Sequence, residues 1–200
     1  RFKTAAIVCS IFVILGAIIS GAGTTETLGK LGAINALPGA FAVCIAAGLS
    51  VYLMTKFGLP VSTTQAIVGA IIGWNLYTGS TTNIKVLLTI LSTWVLCPII
   101  TGLIAMLFYV VTKKFLQNSK LHILRVDAYT RTLLLLAGAF GAYSLGANNI
   151  ANVMGVFVPI APFSDINILN LFLFSSKEQL FLLGGIAIAV GVFTYSKKVM

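Results

Sequence analysis

The 200-residue chain is 58% apolar and only 8% charged, with 13 Lys and Arg against 4 Asp and Glu and a formal net charge of +9. Soluble domains carry about 25% charged residues, so a water-soluble enzyme and a disordered chain are both excluded, and an all-α polytopic membrane protein remains. The positive charge does not point to nucleic acid, because the basic residues lie between apolar runs and no basic stretch is interleaved with aromatic residues for base stacking.

In chain order, the first apolar run is Thr4 to Gly23, about 30 Å as a helix and enough to cross a bilayer. A small, polar turn region, Thr24 to Asn35, follows it. The second run is Ala36 to Thr55, after which Lys56, Gly58 and Pro60 break the pattern. The third, Gln65 to Gly79, has only 15 residues. The fourth, Val86 to Thr112, contains Pro98 and should kink there. Lys113 to Arg131 mixes five basic residues with apolar ones and reads as an amphipathic linker at the membrane surface. A fifth run starts at Thr132, Phe163 to Asn170 reads as loop, and the sixth span is Gln179 to Tyr195.

Charge orients these six crossings. With Arg1 and Lys3 inside, ten basic residues fall on the inner side and three, Lys30, Lys85 and Lys177, on the outer. The linker is then cytoplasmic, and the expected location is the plasma or inner membrane. Charge does not decide whether the segments at 65–79 and 146–163 cross fully or re-enter. The chain begins at Arg1 without an initiator Met and is expected to be a fragment.

Two segments depart from plain membrane helix. In Gly58-Leu59-Pro60-Val61-Ser62-Thr63-Thr64-Gln65, a helix-starting proline precedes three N-cap residue types and a helix too short to cross alone. Its N-terminus should lie at membrane depth, where unpaired N–H groups and hydroxyls make an anion site without a buried Lys or Arg. An ordinary N-cap after a turn explains the same pattern. In Gly146-Ala147-Asn148-Asn149-Ile150-Ala151-Asn152-Val153-Met154-Gly155, three Asn fall within five residues. Polar groups are costly in a membrane unless partnered. The flanking glycines permit an unwound backbone that could hold an ion, and hydrogen bonding between helices is the plainer alternative. Both segments should be shielded from lipid, with the Ser62 to Gln65 end facing the Asn-rich segment.

The remaining chemistry is sparse. Glu26, Asp127, Asp165 and Glu178 all fall in loops or at membrane edges, and His122 sits in the basic linker. Cys9, Cys44 and Cys97 are far apart within apolar runs and suit neither a metal nor a disulfide framework. Gly69 and Gly73 suit close helix packing. No nucleophile–base set or phosphate loop is present, so no enzyme activity is expected.

Both unusual segments resemble the inorganic phosphate transporter family, the phosphate permeases. Gly146 to Asn152 is similar to the family's Gly-Ala-Asn-Asp-x-x-Asn motif, and Pro60 to Gly73 to its Pro-Val-Ser-Thr-Thr-His motif with a Gly-rich helix. The resemblance implies a secondary active transporter that takes up phosphate with Na⁺ or H⁺, built as inverted repeats with broken, re-entrant or discontinuous helices. Asn149 stands where the family usually has Asp, and Gln65 where it usually has His. The coupling ion and the anion therefore stay open, and a sulfate permease of the same family is the alternative. An anion channel and a non-transporting membrane protein are weaker rivals.

The family carries each motif twice, and this chain holds each once. Leu15 to Gly23 superposes weakly on Val190 to Lys198 at an offset of 175 residues, in spans of opposite direction. Residues 1–112 are thus expected to form most of a first repeat, 113–131 the linker and 132–200 the start of a second, inverted repeat. The expected anion-binding residues are Ser62, Thr63, Thr64, Asn148 and Asn152. Asn148, Asn149 and Asn152 are the candidates for the coupling ion. No cofactor or metal is expected beyond a bound Na⁺. The expected partners are phosphate or sulfate, Na⁺ or H⁺, and the lipid bilayer, with assembly into a homo-oligomer left open.

Overall fold

The computed structural model describes residues 2–32, 34, 36–118, 123–161, 163–168 and 172–199. Five helices are long and apolar enough to cross a membrane, spanning Lys3–Ser20, Leu37–Lys56, Ile84–Asn118, Arg125–Ile160 and Ser176–Thr194. This makes the chain a polytopic, essentially helical membrane protein. The expected six crossings included the short third run, and that run is not among these five. As α4 (Thr63–Thr78) it has 16 residues, about 24 Å at 1.5 Å per residue against a hydrocarbon core of about 30 Å.

The backbone chemistry explains where the helices begin and end. Helix α1 (Phe2–Ser20) stops at Gly21, and a second, short helix α2 (Ala22–Gly29) follows at once. Residues 22–29, mostly assigned to a polar turn, are therefore helical. Thr25 and Thr27 fold their hydroxyls back onto carbonyls of the preceding turn, so their polarity is satisfied locally. Helix α3 (Leu37–Lys56) carries Pro38 in its first turn, where no N–H is needed. It ends in a Schellman turn: Gly58 takes a φ of 67°, Leu59 N donates to Met54 O at 2.9 Å and Gly58 N to Thr55 O at 3.1 Å. Helix α4 ends the same way at Gly79, with φ 69° and Ser80 N donating to Asn75 O at 2.8 Å.

Helix α5 (Ile84–Asn118) runs for 35 residues and continues through Pro98. Helix α6 covers Ile123–Met154 and gives way to a 3-10 helix, Gly155–Ile160. Pro159 has no N–H to continue an α-helical ladder there. The helices thus extend well into the basic linker, and the readings for Asn35 and His122 lie outside the described residues. The segment read as loop, Phe163 to Asn170, contains a short strand instead. Strand β1 (Ile166–Ile168) pairs with β2 (Phe172–Phe174), Ile166 opposite Phe174. Isoleucine and phenylalanine are residue types that favour strands. Helix α7 (Ser176–Val199) opens on a capping box: Ser175 N donates to Glu178 Oε2 at 2.8 Å and Glu178 N to Ser175 Oγ at 3.3 Å.

The chain divides into two compact units, Arg1–Asn83 with Gly138–Met200, and Ile84–Ala137. In the first, α1 packs along α7 and α3 along α4. Gly39, near the start of α3, lies under the indole of Trp74, near the end of α4, so that pair is antiparallel. Ala17, Ile150, Leu180 and Phe181 bury one another, with Met154, Phe157 and Val158 around them. Helices α1 and α6 approach closest through reciprocal glycines. A Cβ on Gly16 would overlap the carbonyl of Tyr143, and one on Gly146 would overlap that of Val13. In lipid, apolar contact alone favours association only weakly, and close backbone packing of this kind holds helices together. In the second unit, α5 presents apolar side chains such as Leu103, Phe108 and Val111 to its surroundings, as a lipid-facing helix does.

Candidate functional site

The Schellman turn at Gly58 and the proline two residues later send the chain back into α4 along α3. Ser62 is the N-cap, with extended backbone (φ −104°, ψ 120°), and its Oγ accepts from Gln65 N at 3.3 Å. Ala66 N donates to Ser62 O at 3.0 Å as the first helical bond. The amides of Thr63 and Thr64, at the first two helical positions, have no acceptor within the helix. Ser62 therefore fills the plain N-cap role that its residue type allowed.

Helix α6 supplies the other wall. Asn152 Nδ2 lies 3.2 Å from Thr63 Oγ1, 3.0 Å from Thr64 Oγ1 and 3.1 Å from Asn149 Oδ1. Side chains 88 and 89 residues apart in sequence thus meet in one junction. Asn148 shares a helix face with Asn152, but it is exposed, and no hydrogen bond from its side chain is found among the described residues. Gln65 is also exposed.

One expectation needs correction. The Asn-rich segment is not unwound: residues 146–154 are α-helical and the break falls at Gly155, after the last asparagine. Asn at positions three and four apart hydrogen-bonds outward from one helix face without competing for the backbone, whereas the Gly155 to Pro159 stretch cannot sustain the α-helical ladder. Unwound carbonyls are therefore not offered at Asn148 to Asn152. Within this chain Ser62, Thr63 and Asn148 are exposed, and Thr64, Asn149 and Asn152 are half-buried. The start of α4 lies at the loop end of the α3–α4 hairpin.

A cleft of about 300 Å³ opens beside the junction, lined by Thr63, Ile67, Asn152 and Val153 and by Cys44, Ala47, Gly48 and Val51 of α3. None of these four α3 residues was a site candidate in the sequence, where Cys44 counted only as part of an apolar run. Their signal was available: small side chains at 44, 47, 48 and 51 share one helix face. Also unforeseen are the bonds that pin the start of the Asn motif. Ser20 Oγ lies 2.6 Å from Tyr143 Oη, and Thr24 Oγ1 donates to Ala147 O at 2.9 Å. Chemically, the junction offers hydroxyls, helix amides and carboxamides beside an apolar wall, with no charged side chain among these groups. Such a set suits a small ion and offers no nucleophile–base pair.

The chain belongs to the phosphate transporter family, which it matches over residues 1–129. It is accordingly a multi-pass membrane protein of a transporter family and not an enzyme. A protein of Methanocaldococcus jannaschii named as a candidate phosphate permease is 42% identical over 99 residues, 49% of this chain and 33% of its own length. The sulfate permease CysP of Bacillus subtilis is 32% identical over 161 residues, 77% of this chain and 44% of its own. A candidate phosphate permease of Pyrococcus horikoshii is 26% identical, with 99% of this chain and 67% of its own covered. The chain thus spans less than half the length of the first two relatives. No solved structure matches it.

Proposed function

We propose that this chain forms the anion-binding part of a secondary active permease for a tetrahedral oxyanion, with uptake coupled to a cation. Inorganic phosphate is the substrate the family suggests. Sulfate is the second reading, favoured by Asn149 in place of the family's Asp and by similarity to a sulfate permease. The observation that carries the proposal is the junction itself. Asn152 bonds to both Thr63 and Thr64, which supports reading the two segments as one site.

The hydroxyls of Thr63 and Thr64 and the first amides of α4 hold the anion, helped by the positive end of the α4 dipole. Ser62 supports them as the cap. The carboxamide oxygens of Asn148, Asn149 and Asn152 are the groups for Na⁺, that of Asn149 keeping a second lone pair beyond the one it gives to Asn152. A cation there offsets the anion's charge, which gives coupling a physical reason. A neutral Asn149 carries no transported proton, so Na⁺ is favoured over H⁺. Helices α1 and α7, whose ends superpose weakly in sequence, pack against each other. That suits two inverted repeats moving against one another for alternating access in the plasma or inner membrane.

The test is uptake of labelled phosphate and sulfate by the full-length protein in proteoliposomes, with and without an inward Na⁺ gradient and across pH. Saturable uptake of one oxyanion that collapses without the Na⁺ gradient is the expected result. A flux that neither saturates nor responds to a cation gradient would mark a channel and overturn the proposal.

A further inference from the structure

We infer that the C-terminal end of α5 holds a phospholipid with a net negative headgroup, seated on the face made by Val111, Lys114, Phe115 and Asn118. Helix α5 has 35 residues, about 52 Å at 1.5 Å per residue, against a hydrocarbon core of about 30 Å and about 40–45 Å for a bilayer with its headgroups. Its stretch from Val86 to Thr112 contains no charged residue, and Lys113 and Lys114 are the first charges after it. The two lysines therefore stand at headgroup depth, with Val111 at the margin of the hydrocarbon. Phe108 and Tyr109, both exposed, sit just before them, where aromatic residues gather at a membrane interface.

The protein leaves this charge unneutralised. Asp127 is the only acid between Ile84 and Ala137, and Arg131 holds it at 2.9 Å. Among the described residues neither Lys113 nor Lys114 has an acidic partner. Lys113 Nζ lies 5.9 Å from the centre of the Tyr109 ring, one turn back toward the hydrocarbon. The negative end of the helix dipole amounts to about half a charge, less than two ammonium groups carry. The rule that orients membrane helices asks only for positive residues at this end. It does not ask for the face on which Lys114 lies.

That face is amphipathic along its length. Val111, Lys114, Phe115 and Asn118 follow one another at helical spacing and line a shallow groove. The Lys114 ammonium and the Asn118 carboxamide supply hydrogen-bond donors for a phosphate oxygen, and Lys113 adds its charge beside them. Val111 and Phe115 are exposed and give an apolar wall that runs toward the bilayer interior. A free phosphate ion would use the donors and leave that wall bare, whereas a phosphodiester with acyl chains covers both. A zwitterionic headgroup brings its own ammonium against two lysines, so the net negative lipid is preferred.

The inference rests on the membrane placement of α5 and not on the permease reading. Its test is native mass spectrometry of the full-length protein, purified in detergent with equal phosphatidylglycerol and phosphatidylcholine. The unaltered protein should retain phosphatidylglycerol in preference. Lys113→Gln and Lys114→Gln should each lower that preference about fivefold, and the double variant about thirtyfold. Lys113→Arg with Lys114→Arg should keep it, and Lys85→Gln, at the other end of the same helix, should leave it unchanged. Excess glycerol 3-phosphate, which has the charge without the acyl chains, should not displace the lipid. Equal retention of the two lipids, or a preference that survives the double Gln variant, would overturn the inference. An equal loss in Lys85→Gln would reduce the effect to overall charge, and displacement by glycerol 3-phosphate would make the groove a site for free phosphate; either overturns the lipid site. None of these readouts uses uptake, so their failure leaves the permease reading standing.

Discussion

The two ends of α4 are built from the same kinds of residue and behave differently. At the C-terminal end, Asn75 is fully buried, its Nδ2 donates to Thr82 Oγ1 at 2.9 Å, and its carbonyl accepts from Ser80 N. Gly32 lies so close that a Cβ there would come within 2.7 Å of both Asn75 amide atoms. At the N-terminal end, Thr63 is exposed, Thr64 half-buried, and three oxygens compete for the two hydrogens of Asn152. One amide is closed into a turn by its own neighbours in sequence. The other joins groups from distant parts of the chain and leaves hydroxyl protons unassigned. Asn75 Oδ1 is buried without a hydrogen-bond partner among the described residues, so that end is anchored by the amide nitrogen and the backbone turn, whereas at the other end the polarity is open and oversubscribed.

The largest effect that tests this contrast is topological. If α4 crosses the membrane, Phe57→Cys and Thr81→Cys, each in a background without Cys9, Cys44 and Cys97, should react with an impermeant thiol reagent from opposite sides. Labelling of both from the same face would make α4 re-entrant and invert the charge frame for everything after it.

Next comes Gly32→Val. Its side chain would collide with Asn75 and with Ile71 Cγ2, the latter 2.8 Å from the added Cβ. Overpacking of this kind costs about 1–3 kcal/mol. The purified full-length variant should melt at a lower temperature, while the protein that survives should keep its anion KM. A changed KM with unchanged melting would reverse the roles given to the two ends.

Thr63→Val should do the opposite. It removes one hydroxyl at nearly constant volume, and losing a hydrogen bond to a charged group costs about 1.5–3 kcal/mol. The apparent KM for the oxyanion should rise roughly ten- to hundredfold with little change in melting. Wild-type affinity in this variant would remove Thr63 from the site.

The smallest expected effect is Ser62→Ala. Because the Ser62 hydroxyl caps Gln65 N, its loss should cost about 1 kcal/mol of stability and leave the anion KM nearly unchanged. A KM shift as large as that of Thr63→Val would show that Ser62 contacts the anion directly.

Sequence alone determined the features that composition and local backbone chemistry dictate. A chain with 8% charged residues has to place its apolar runs in lipid. Gly58, Pro60 and Ser62 end one helix and start the next within a few residues, so the hairpin and the short α4 were legible before any coordinates. Helix α2, the hairpin at Ile166–Ile168 and Phe172–Phe174 and the helical state of Asn148 to Asn152 were not. Their residue types suit more than one conformation: Thr and Gly allow turn or helix, short apolar runs allow loop or strand, and Asn in a membrane needs a partner that sequence does not name. Tertiary structure decided those cases by supplying the partners. The carbonyls of Val13 and Tyr143 fit only against Gly146 and Gly16, which fixes α6 beside α1. Asn152 then reaches Thr63 and Thr64 across 89 and 88 residues of sequence. Hydrogen-bond polarity belongs to that contact and not to any one side chain, because an amide or a hydroxyl can take several roles until its neighbours leave it one.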